Sequence, residues 1–147
     1  MTERRVVHST FSLERAYDTP ANLVFAAWAD PAAKAHWFSP SGPYELDFRV
    51  GGQEVNRGRN QDGQVLTFES RYHDIVAGQR IAYTSTLSVG ETVATVSLTT
   101  VELTPDGGST RLVLTEHGAF LDGHEQSAWR KQGTSDWLDA LGAHLKD

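Results

Sequence analysis

The sequence predicts an α+β fold: a curved antiparallel sheet, two short helices after its first strand, and a long C-terminal helix. Three observations carry this reading. All four tryptophans (Trp28, Trp37, Trp129 and Trp137) fall in segments with helical spacing, and none falls in a strand pattern. Between those segments runs a series of strand-like stretches joined by short turn signals, as in an antiparallel meander. A length of 147 residues, 39% hydrophobic and 22% charged, suits one hydrophobic core. Residues 1–147 are therefore read as a single domain.

The elements follow in order. Val7, Ser9, Phe11, Leu13, Arg15 and Tyr17 give a first strand over 7–17. Asp18-Thr19-Pro20 is a helix start, with Thr19 as N-cap and Pro20 in the first helical position. Leu23, Val24, Ala27 and Trp28 have helical spacing. Asp30-Pro31 ends that helix and opens the next, Ala32 to Trp37. Residues 39–43, Ser-Pro-Ser-Gly-Pro, read as a loop.

The middle reads as strand throughout. Tyr44, Leu46 and Phe48 alternate with Glu45, Asp47 and Arg49, and Gly51-Gly52 permits a tight reversal. Gln53–Arg59 then pairs with Gln64–Asp74 across the Asp62-Gly63 turn. Further strands are expected over 80–89, 92–104 and 110–117, with turns at Ala77-Gly78, Gly90 and Pro105–Gly108. From about Asp122 to Leu145 the period becomes helical, with a stripe of Trp129, Gly133, Trp137, Ala140, Leu141 and His144. Glycine inside a helix costs about 1 kcal/mol against alanine. Gly133 is either a point of close approach to the sheet or cavity, or simply tolerated.

Composition narrows the function. Thirteen basic against 19 acidic residues give a net charge of −6, which argues against nucleic acid as a partner. The absence of cysteine excludes disulfides and thiolate chemistry. Met1–Thr10 has no apolar signal region and no apolar run is long enough for a membrane span, so a cytoplasmic protein without membrane insertion is expected. No cofactor is expected, and a homodimer is left open.

Three groups of residues together resemble a known superfamily. They are the run Val24-Phe25-Ala26-Ala27-Trp28-Ala29-Asp30-Pro31 followed by Trp37, the run Asp47-Phe48-Arg49-Val50-Gly51-Gly52, and the later segments Tyr72-His73-Asp74-Ile75 and Thr110-Arg111-Leu112 before the last helix. Their order and spacing resemble the START-like (SRPBCC, helix-grip) superfamily. More narrowly, they resemble homologues of the C-terminal domain of the activator of heat-shock protein 90 ATPase, over essentially the whole chain. The resemblance implies a curved sheet gripping the C-terminal helix with an internal cavity between them. Members of the superfamily include lipid and sterol carriers, hormone receptors, polyketide cyclases and co-chaperone domains, so the resemblance speaks to fold more than to activity.

One departure stands out. Where such proteins often carry an apolar residue two positions after the paired glycines, this chain has Glu54. A carboxylate facing a cavity needs a partner or a polar ligand group. A mixed lining is expected from Arg49, Glu54, Asn56, Phe68, Tyr83 and Ser85 on the strands, with Glu116 and Trp129. Trp28, Trp37, Phe120 and Gly133 complete the candidate ligand-binding set. The entrance is expected between the loop at 39–43 and the segment Gly118–Gly123, the latter as a lid.

Catalytic signals are weak. His73-Asp74 and Glu116-His117 are sequence neighbours, so on a strand each pair points to opposite faces. His117 and Glu116 are the only acid–base candidates, each needing a partner from another element. No Gly-x-Ser-x-Gly elbow occurs. His117, Asp122, His124 and Glu125 lack metal-site spacing, and no metal is expected. The favoured function is binding of a small apolar or amphipathic molecule, such as a lipid, polyketide or aromatic metabolite. The alternatives are an enzyme of the polyketide cyclase or aromatase kind and, with less support, a co-chaperone-type interaction domain.

Overall fold

A computed structural model describes residues 4–147. The chain runs β1 (Val6–Tyr17), α1 (Ala21–Ala29), α2 (Pro31–Phe38), β2 (Tyr44–Leu46), β3 (Gln53–Arg59), β4 (Val65–Val76), β5 (Arg80–Val89), β6 (Thr92–Asp106), β7 (Ser109–Leu121) and α3 (Ser127–Leu145). One seven-stranded sheet has the order β1-β7-β6-β5-β4-β3-β2, and every neighbouring pair is antiparallel. β3 to β7 are a meander of hairpins. β1 closes the far edge by pairing with β7 along its whole length, from Val6 opposite Leu121 to Tyr17 opposite Thr110. The sheet is open and curved, and α3 lies along its concave face with α1 and α2 beside it. No helix among the described residues is long and apolar enough to cross a membrane.

The pleat sorts residues onto that face. Across β4, β5, β6 and β7 the register aligns Tyr72, Tyr83, Thr99 and Glu116 in one row. The next row is Ser70, Ser85, Ser97 and Gly118, and the third is Phe68, Leu87, Thr95 and Phe120. The middle row is small, so the sheet leaves space over its centre for side chains from α3. Gly118 is part of this accommodation: a Cβ there would lie 2.8 Å from Cε1 of Phe120, whose ring folds back over it.

The short helices are set by a shared residue. Asp30 ends α1 and caps α2, its carboxylate accepting from the Ala33 N–H at 3.0 Å, with Pro31 in the first turn. At the start of α1 the expected cap is displaced: Pro20, not Thr19, is the N-cap, and no side chain bonds the first turn. α3 is anchored to β1 by the Tyr17 hydroxyl, which donates to the Leu138 carbonyl at 2.7 Å. Arg15 adds a donor bond to Asp139 at 3.0 Å.

Two further expectations change. β2 ends at Leu46, because residues 47–52 form a compact turn that docks on β4. The Gly51 N–H donates to the Tyr72 carbonyl, and the Tyr72 N–H to that of Gly52. Gly51 sits at φ 83, and a Cβ on Gly52 would lie 2.0 Å from the Asp47 carbonyl oxygen, so this turn requires the glycine pair. α3 starts at Ser127 rather than near Asp122, since Asp122 (φ 55) and Gly123 (φ 74) are left-handed. Its buried face is Arg130, Thr134, Leu138 and Leu141; of the expected stripe Leu141 is on that face, while Trp129, Gly133 and Trp137 each stand one position before a buried residue. Trp129 is 64% exposed and Trp137 is half-buried.

Candidate functional site

A groove opens between the β3–β5 end of the sheet and the first half of α3. Leu66, Phe68 and Leu87 form one wall, Trp129, Gly133 and Trp137 the other, and Asn56, Gly58, Glu125, Arg130 and Thr134 complete the lining around a volume of about 230 Å³. An adjoining hollow of about 630 Å³ runs under the 39–43 loop and shares Asn56, Gly58 and Trp137 with the groove. A dry cavity of roughly 150 Å³ holds a benzene ring. The groove therefore suits a body of one or two rings, with room to extend toward the loop.

Arg130 forms the polar floor. It reaches inward from α3 and is 6% exposed. Its Nε and Nη2 donate to the two oxygens of Glu125 at 3.0 and 2.8 Å, and Nη1 donates to Glu116 at 3.0 Å. A longer contact of 3.4 Å joins Nη1 to the Ser97 hydroxyl in the small central row. Thr99 donates to the other oxygen of Glu116 at 2.9 Å, and Thr95 donates to Glu125. The rings of Phe68 and Phe120 lie 5.5 and 6.0 Å from the guanidinium carbon. Burial works against the Arg130 charge, but Glu116 and Glu125 outweigh it and hold its pKa above the ordinary arginine value.

A second buried polar cluster lies beyond the groove wall. Lys34 of α2 is 1% exposed, and its Nζ donates to Glu54 at 2.5 Å. Tyr44 donates to the same Glu54 oxygen, and Lys34 Nζ lies 3.4 Å from the Tyr72 hydroxyl. Rings surround the ammonium, with Phe38 at 4.6 Å, Trp28 at 5.0 Å, and Tyr83 and Trp37 near 6 Å. Complete burial lowers the Lys34 pKa, and the Glu54 carboxylate pulls it back. Burial raises the pKa of Tyr44, Tyr72 and Tyr83, and Glu54 adds to each rise. Glu54 Oε1 and the Trp28 indole N–H have no hydrogen-bond partner among the described residues. Phe38 separates the two regions, its ring 4.3 Å from that of Trp137 and tilted to it on the groove side, and facing Lys34 on the other.

The candidate residues thus divide. Asn56, Phe68, Trp129 and Gly133 line the groove. Glu116 and Phe120 sit beneath it against Arg130. Trp28, Trp37, Glu54 and Tyr83 belong to the Lys34 cluster. Ser85 bonds Ser70 at 2.7 Å in the central row, and Arg49 is exposed, paired with Asp47. His117 points to the convex face and bonds the Thr10 hydroxyl at 3.0 Å, away from the groove. His117, Asp122, His124 and Glu125 are not gathered: Asp122 accepts from the Arg5 N–H and Arg4, and Glu125 from Arg130. The Gly118–Gly123 segment is no lid. Residues 118–121 are paired with β1 and, up to Phe120, with β6. At Gly133 a Cβ would meet nothing within 4 Å, so the close-approach reading fails and the glycine simply leaves one groove wall low.

Lys34 and Arg130 escaped the sequence reading. Lys34 shares a helical face with Trp37 and Phe38, at three- and four-residue steps, and that spacing was the available signal. Arg130 stands four residues before Thr134 on a face that looks polar until Leu138.

The comparisons agree with this architecture. A family model described as Activator of Hsp90 ATPase homolog 1-like protein matches residues 18–146. An uncharacterised protein from Rhizobium leguminosarum is 40% identical, with 99% of each chain covered and a TM-score of 0.94. The Mll3558 protein from Rhizobium loti is 42% identical over 95% of this chain and 99% of its own, with a TM-score of 0.89. CalU16 from Micromonospora echinospora is 21% identical over 99% of this chain and 86% of its own, with a TM-score of 0.70, a likeness of fold alone. No curated protein matches the sequence.

Proposed function

The chain belongs to the Activator of Hsp90 ATPase homolog 1-like family, and from that premise we propose that it binds a small apolar or amphipathic molecule in the groove between the sheet and α3. The observation that carries the reading is the groove's composition. Five large apolar side chains surround a floor whose polar groups are bonded to one another. Burial of apolar surface, at about 25 cal/mol per Å², would supply most of the affinity. A few fixed polar atoms would orient the ligand.

A cyclase reading finds less support. Acid–base catalysis needs a titratable group within reach of the substrate. Glu116 and Glu125 are both engaged by Arg130, and His117 lies on the opposite face. Native mass spectrometry of the purified protein tests the proposal. The expected result is a co-purifying organic molecule that is lost when Gly133→Leu fills the groove. The proposal fails if no molecule co-purifies and no apolar probe from a panel raises the melting temperature.

A further inference from the structure

We infer that the ligand's polar end is cationic or a neutral hydrogen-bond donor, and that the groove discriminates against carboxylates and phosphates. This rests on the groove being the binding site. The inference comes from how Arg130, the only cation among the described residues lining the groove, is used. A guanidinium carries five N–H donors and binds carboxylates by a two-pronged fork. In Arg130 that fork is closed on Glu125, through Nε at 3.0 Å and Nη2 at 2.8 Å. Nη1 is taken by Glu116 at 3.0 Å. An incoming carboxylate finds no free fork on Arg130.

The charge balance points the same way. Two carboxylates face one guanidinium, a formal sum of −1 in a site where the three side chains are 5 to 11% exposed. Water screens such a charge poorly there. Of the three, Glu125 and Arg130 reach the groove lining, and Glu125 is the more exposed. Further up the wall the Asn56 carbonyl accepts from Ser39 at 2.7 Å, leaving its amide N–H groups for a neutral acceptor on the ligand. The site so described takes an aromatic or branched body bearing an ammonium, hydroxyl or amide group.

Three naphthalene probes of matched shape test this: 2-naphthylmethylamine as the ammonium, 2-naphthylmethanol, and 2-naphthoate. Dissociation constants are measured by ligand-observed NMR at neutral pH on the whole protein. The expected order places the ammonium tightest, the alcohol next and the carboxylate at least tenfold weaker than the ammonium. Added salt should weaken the ammonium and leave the alcohol unchanged. In Glu125→Gln the gap between ammonium and carboxylate should close severalfold. Carboxylate binding as tight as the ammonium in the unmodified protein overturns the charge inference while leaving the groove as a binding site, and that comparison does not depend on the variant folding. Failure of all three probes to bind overturns the groove reading itself.

Discussion

Lys34 and Glu54 form an ion pair of 2.5 Å with both side chains only 1% exposed, which gives the buried carboxylate after the glycine pair the partner it needs. An isolated buried charge is strongly unfavourable, but each of these has the other, with Tyr44 as a further donor to Glu54.

Removing one partner should therefore cost more than removing both. Lys34→Met or Glu54→Leu alone is expected to destabilise the fold by about 3–5 kcal/mol, because the remaining partner stays buried as an unpaired charge. The double variant Lys34→Met/Glu54→Leu should lose less than the sum of the single changes. Urea denaturation of the four proteins gives the coupling. Additive losses would mean that the pair is not a unit.

The tyrosines give a pH signature. Burial raises the pKa of Tyr17, Tyr44, Tyr72 and Tyr83, the full set in this chain. Each folded-state value lies above the unfolded value of about 10. Their contribution to stability is thus complete below about pH 10 and is lost as pH rises toward the folded values. Tyrosinate absorbance should appear only together with loss of circular dichroism. Absorbance that develops while the dichroism stays native would contradict the burial of at least one hydroxyl.

Gly133 separates stability from binding. Its missing Cβ would meet nothing, so Gly133→Ala should raise stability by about 1 kcal/mol through helix propensity. Gly133→Leu should keep the fold but project into the groove and abolish probe binding. Melting curves and ligand-observed NMR on both variants read the two effects. A destabilised alanine variant would show that something does pack on this backbone.

Arg130 tests geometry against charge. Arg130→Lys keeps the positive charge but cannot reproduce the fork to Glu125 together with the bond to Glu116. A loss of about 1–3 kcal/mol is expected from chemical denaturation. A loss under about 0.5 kcal/mol would show that charge alone suffices.

Much of the fold was legible because it rests on local signals. Asp30-Pro31 does cap α2, and the glycine-bearing turns do join a meander. The site was less so, because its members come from distant strands and helices. Glu54 and Glu116 read as polar residues that need partners, yet nothing near them in sequence names Lys34 or Arg130. The row Ser70, Ser85, Ser97 and Gly118 exists only once the register aligns four strands. α3 misled for a related reason. Its tryptophans look like the buried stripe, but the space above that small row admits Arg130, which turns Trp129 to the rim.

The tryptophans themselves offer the most direct test of groove binding. Trp129 and Trp137 line the groove, whereas Trp28 and Trp37 are buried in the Lys34 cluster behind Phe38. In a nitrogen-15-labelled sample the four indole N–H signals can be followed separately while 2-naphthylmethanol is added. Saturable shifts of the Trp129 and Trp137 signals, with Trp28 and Trp37 unmoved, are the result the groove account requires. Shifts confined to Trp28 and Trp37, or no saturable shift in any of the four, would contradict it.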